Sequence, residues 1–155
     1  MIDLIVIESA GENFTRLISS QVVRSGGNAS VAHMLPATEL GCCDADIVVV
    51  SPSCRFRTEF ESQLRCGILL TPGGVPAFAK ARCVVTYGMN PKDTLTLSSI
   101  GEDACVLALQ RELVTADGGV LERQEFKIRT CGNVDESLVR AGAILLLGLQ
   151  LSDDA

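Results

Sequence analysis

The residues best placed to do chemistry follow the first apolar run. Residues 2–7 read as a buried strand, and a helical pattern opens near Phe14. Between them lies Glu8-Ser9-Ala10-Gly11-Glu12-Asn13, where a nucleotide-binding α/β domain places its phosphate loop. Such a loop works through small residues, a Lys that reaches the β- and γ-phosphates, and a Ser or Thr hydroxyl on Mg²⁺. Here a carboxylate, Glu12, stands in the loop, and the chain holds no G-x-x-x-x-G-K-[ST]. The junction still offers backbone N–H groups at a helix start, which attract an anion without a Lys. Ser9, Gly11 and Asn13 therefore form a candidate small-anion site. Ser51, at the end of a second strong strand, and Arg55 just beyond it complete the set, with Arg57 adding positive charge at that edge.

The remaining reactive groups read more plainly. Cys54 lies at the same edge as a candidate nucleophile, but no base is visible for it. Glu12 reads as a solvated charge favoured by the helix dipole. His33 reads as structural, because no acid or thiol adjoins it in sequence. The seven cysteines are Cys42, Cys43, Cys54, Cys66, Cys83, Cys105 and Cys131. Their number is odd, they form no C-x-x-C, and His33 gives no zinc spacing with them. They read as free thiols serving as small apolar residues, with Cys42-Cys43 in a Gly/Asp turn the most open to oxidation. No metal or cofactor is expected.

These groups must be held by an ordered set of elements. Phe14, Leu17, Ile18 and Val22 share one helical face, and Ser25-Gly26-Gly27-Asn28 ends that helix. Strands are expected at 30–34, 46–50, 67–71 and 82–88, with short helices at 58–65 and 75–80 between the later ones. Beyond Gly88 the residues alternate with period two over 94–100, 104–113 and 120–128, as half-buried antiparallel strands do. A helix entered at Asn133 or Asp135 runs to about Leu149, apolar around most of its surface. The expected fold is α/β and three-layered, one domain over residues 1–155. Its mainly parallel sheet continues as an antiparallel meander in the C-terminal half and is closed by a C-terminal helix.

Composition narrows the function. Hydrophobic residues make up 47% against 21% charged, so the chain is globular, and with 4% aromatics its core is aliphatic. A formal net charge of −6 argues against nucleic acid and against an anionic membrane surface. No apolar run is long enough for a membrane span, and the acidic, strand-like start does not read as a signal peptide, so a cytoplasmic location is expected.

Three stretches together resemble one family, the central ATP-binding domain of the Mur ligases and of related folylpolyglutamate synthases. Residues 11–27, with Arg16-Leu17-Ile18 and Val23-Arg24-Ser25-Gly26-Gly27, look like the family's phosphate loop and the helix after it. Cys83-Val84-Val85-Thr86-Tyr87-Gly88, followed by residues 93–100, looks like its strand ending in Thr-Tyr/Phe-Gly. Gly132-Asn133-Val134 and the helix to Gly148-Leu149 look like its closing segment. Where the family has Gly-Lys-Thr, this chain has Gly11-Glu12-Asn13, and where a metal-holding Glu ends its second strong strand, this chain offers Ser51. The family's reaction also needs two further domains that 155 residues do not hold. The resemblance thus implies an inactive relative that does not bind ATP in the family manner and serves as a binding or assembly module. A protein partner or self-association would then be its business, with an edge strand of the meander a natural dimer surface. The alternative is a sensor or enzyme that takes a small anion in the strand-end cleft near Ser9, Gly11, Ser51 and Arg55. Converging polar groups in that cleft would favour the alternative. Restoring Lys and Thr, by Glu12→Lys with Asn13→Thr, is the change expected to bring back some Mg-ATP affinity.

Overall fold

Val48, Val49 and Val50 are all fully buried, although neighbouring strand residues point to opposite faces of a sheet. A strand of this kind must be covered on both sides, which is the setting of parallel sheets. The computed structural model describes residues 1–35, 43–54, 64–74, 80–129 and 133–151. In chain order the elements are β1 (Ile2–Ile7), α1 (Phe14–Arg24), β2 (Ala29–Met34), β3 (Cys43–Val50), β4 (Leu64–Pro72) and β5 (Lys80–Tyr87). They continue with β6 (Leu95–Ile100), β7 (Ala104–Leu109), β8 (Leu113–Val114), β9 (Val120–Leu121), β10 (Gln124–Arg129) and α2 (Val134–Leu146).

Eight of these strands form one sheet in the order β10-β7-β6-β5-β4-β3-β1-β2. From β2 to β6 the neighbours run parallel, and β6, β7 and β10 continue as an antiparallel meander. The α/β class and the mainly parallel sheet are as the sequence pattern implies. The two halves of the sheet meet only at Tyr87 and Leu95, because β6 starts where β5 stops.

Both described helices lie on the same face, packed on Leu4, Val6, Ile47, Val49, Leu70 and Tyr87. They also touch each other. On the other face, Ile5, Ile7, Val48, Val50, Leu64 and Leu69 form a second buried cluster with Cys54. Most of the short helices expected at 58–65 and 75–80 lies outside the described residues. Their last residues are corrected, however: Leu64 and Arg65 open β4, and Lys80 opens β5. The parallel ladder, with Cys43 opposite Leu64 and Arg65 opposite Lys80, overrides a local preference worth only tenths of a kcal/mol per residue, about 0.5.

The meander is also more broken than its alternation implies. The expected strand 104–113 stops at Leu109, and 120–128 divides into β9 and β10. β8 and β9 leave the main sheet to form their own hairpin, which the Ala116 N–H ties to the Leu146 carbonyl at 2.8 Å. Period-two alternation survives such a corner, so it cannot reveal one.

α2 begins as expected of an Asn cap, with the Asn133 side-chain oxygen accepting from the Glu136 N–H at 2.8 Å. All residues from Ser137 to Leu146 are buried, including Arg140. Among the described cysteines, Cys54, Cys66 and Cys105 are buried free thiols. Burial pushes the Cys66 thiol up to about 11, against a hydrogen bond to the Val48 backbone, so it stays protonated and unreactive near neutral pH. Cys42 and Cys131 lie outside the described residues. Among the described residues no helix is long and apolar enough to cross a membrane.

Candidate functional site

With β1 flanked by β2 on one side and β3 on the other, the chain winds away in both directions from the β1/β3 pair. In open α/β sheets the crevice outside the carboxyl ends at such a reversal is the usual ligand position. Glu8 and Ser9 leave β1 there, Ser51 leaves β3, and the short 3-10 turn Pro52–Cys54 follows. The amino end of α1 faces the same place, and the exposed Asn13 at its cap position makes no side-chain cap hydrogen bond.

The cap comes instead from Glu8, a residue only 3% exposed. Its Oε2 accepts from the Phe14 N–H at 2.7 Å and from the Thr15 N–H at 3.3 Å. Its Oε1 accepts the Thr15 hydroxyl at 2.8 Å and lies 3.0 Å from Nδ1 of His33. A carboxylate thus sits on the first free amides of α1, where the helix dipole would otherwise hold a phosphate. His33 does have an acidic neighbour, brought to it across the β1/β2 ladder and invisible in local sequence.

A second carboxylate closes the rest of the loop. Residues 9–12 form a tight turn in which the Glu12 N–H reaches the Ser9 carbonyl at 3.2 Å. Gly11, at φ +90, occupies the third turn position, which disfavours any residue with a side chain. The turn brings Glu12 Oε1 back to accept from the Ser9 N–H at 2.7 Å, the Ser51 hydroxyl at 2.9 Å and the Ser53 hydroxyl at 2.6 Å. Glu12 is therefore not a solvated charge. It is half-buried with three donors on Oε1, because the turn directs it inward over β3.

Of the anion-site residues expected from sequence, the fold brings Ser9 and Ser51 together, but the Ser9 N–H and the Ser51 hydroxyl go to Glu12 and the Ser9 hydroxyl lies 2.9 Å from that of Ser53. Gly11 shapes the turn, Asn13 remains exposed at the helix start, and Arg55 and Arg57 lie outside the described residues. Polar groups do converge here, yet they satisfy one another. Cys54 is buried, its thiol directed at the Ile7 carbonyl 3.6 Å away, and among the described residues its other hydrogen-bond neighbours are the Ser51 and Ser53 hydroxyls. Tyr87 braces the end of β3 by donating to the Val50 carbonyl at 2.6 Å.

Glu8, Thr15 and Ser53 join the site without being among the site residues expected from sequence. One signal for Glu8 was available: a carboxylate directly after a buried first strand has to find donors, and the nearest free ones open the following helix. Among the described residues no group of three or more His, Cys, Asp and Glu lies close enough to hold a metal ion. Comparison with family models, with curated proteins and with solved structures gives no match.

Proposed function

We propose that this chain is a Mur-ligase-like α/β module whose phosphate loop is closed by its own carboxylates, and that it acts in binding or assembly without nucleotide chemistry. One observation carries this reading. Glu8 and Glu12 accept the amide and hydroxyl donors that a phosphate loop would present to its ligand. Nucleotide phosphates would have to displace two well-bonded carboxylates and then sit beside them, with no Lys in the loop to offset the repulsion. The residues present do not fit a bound Mg-nucleotide.

Thermal unfolding with and without Mg-ATP and Mg-ADP tests this half of the reading. No shift is expected. A ligand at 100 times its dissociation constant adds about 2.7 kcal/mol, so a clear shift with nucleotide would overturn it. The geometry also revises the expectation for Glu12→Lys with Asn13→Thr. That pair leaves Glu8 on the α1 amides, so it creates no Mg-ATP affinity unless Glu8 is removed as well.

The composition of the sheet edges supports the assembly half. The meander edge, β10, exposes Gln124, Glu125, Lys127 and Arg129, and charges of this kind keep an edge from pairing. The opposite edge, β2, runs Ala-Ser-Val-Ala-His-Met and carries no Lys, Arg, Asp or Glu. Sedimentation at increasing protein concentration should show association, weakened when exposed Ala32 is changed to Lys. A monomer at all concentrations, with no partner sensitive to Ala32→Lys, would remove β2 as the contact.

A further inference from the structure

From Asn13 at the end of the strand-end loop, a groove of about 270 Å³ runs along α1. Its walls are Asn13, Arg16, Leu17, Ser20, Gln21 and Arg24 of the helix and its cap, with Arg140 from α2. Three guanidiniums collect there in a chain of formal net charge −6, and no carboxylate is among the lining residues. Arg140 is the telling member. It is only 6% exposed, on a stretch of α2 that is buried throughout, and among the described residues neither an ion pair nor a hydrogen bond engages it. An isolated buried cation is expensive, and native proteins pair such groups or give them a ligand. Thr71 Oγ1 is the one buried side-chain polar atom without a partner among the described residues, so the Arg140 nitrogens keep some contact with solvent, and the groove that Arg140 lines is where a ligand can reach them.

We propose that this groove binds a small phosphate-bearing molecule, with Arg140 as the buried anchor and Arg16 and Arg24 closing over it from the rim. A phosphate dianion matches the charge, and guanidiniums approach it in bidentate geometry. Ser20 and Asn13 can donate to its remaining oxygens. The groove volume suits inorganic phosphate or a small monoester better than a nucleotide. This site shares only Asn13 with the carboxylate-filled loop and rests on the arginines, so it stands whether or not the strand-end reading holds.

The test is calorimetric titration of the whole chain with inorganic phosphate and with phenyl phosphate, at constant ionic strength in chloride, with acetate as the control anion. Saturable binding of the phosphates is expected, with acetate far weaker. Arg140→Met should abolish it while leaving the free protein as stable as before or more so, because an apolar side chain replaces an unpaired buried charge. Should Arg140→Met not fold, Arg16→Gln and Arg24→Gln on the exposed rim decide the matter. Each should weaken phosphate about tenfold or more, the usual loss when a charge-assisted hydrogen bond is removed. No heat with either phosphate, equal binding of acetate, or rim variants that bind like the parent protein would overturn the proposal.

Discussion

Changing Glu8 to Ala is expected to lower the unfolding free energy by about 4 kcal/mol, one of the two largest single-residue effects in the molecule. The carboxylate is nearly inaccessible, so its desolvation is already part of the folded state. Removing it leaves the Phe14 N–H, the Thr15 N–H and the Thr15 hydroxyl without their acceptor at the start of α1. Loss of a helix cap alone costs about 1 kcal/mol, and each orphaned buried donor adds about 1–3 kcal/mol. The Phe14 N–H is buried and the Thr15 groups are half-buried, so water rescues them only in part and the orphan terms dominate. In a domain of this length the melting temperature should fall by about 10 °C. Glu8→Gln keeps one oxygen and the side-chain shape, and should cost less than half as much. A loss below about 1 kcal/mol for Glu8→Ala in urea unfolding would show that the carboxylate does not hold the helix start.

The same residue marks the limit of what the sequence disclosed. The strands around Val6, Val48, Leu69 and Val85 were legible because apolar runs between turn signals leave few alternatives. So were α1, with its glycine-rich end, and α2, with the Asn133 cap. The loop was legible as a place, and Glu12 as its unusual residue. What stayed hidden depended on contacts distant along the chain. Glu8 meets Thr15 seven residues on and His33 twenty-five residues on, and Glu12 meets Ser51 and Ser53 about forty residues on. A lone acid reads as solvated until the ladder that brings its donors is known. Arg140 was hidden for the opposite reason. A charge inside an apolar helix looks like the solvent-facing residue of an amphipathic pattern, and only packing against both α1 and the sheet shows it buried.

The second large effect belongs to Gly73, at the carboxyl end of β4. Changing it to Ala is expected to cost about 3 kcal/mol, at the upper end of ordinary overpacking. A Cβ there would lie 1.9 Å from Oδ1 of Asp93 and 2.6 Å from its Cγ. The carboxylate has little room to retreat. It is 5% exposed, it accepts the Asn90 N–H at 3.1 Å, and it lies so near Gly88 that a Cβ there too would come within 2.6 Å of its Oδ2. Gly73 is equally fixed, since its N–H bonds the Tyr87 carbonyl at 2.9 Å. Asp93→Ala alone should cost only about 1–2 kcal/mol for the lost turn bond. The double variant should then be clearly more stable than the sum of the two losses requires, by about 2 kcal/mol, because the small side chain at position 93 makes room for the new methyl. Additive losses would mean that the carboxylate does not occupy the space beside Gly73. A positive coupling would place a third internal acid at the strand ends. Asp93 then closes the β4/β5 end of the sheet as Glu8 and Glu12 close the β1/β3 end, and the edge where α/β folds hold anionic ligands is lined by the chain's own carboxylates.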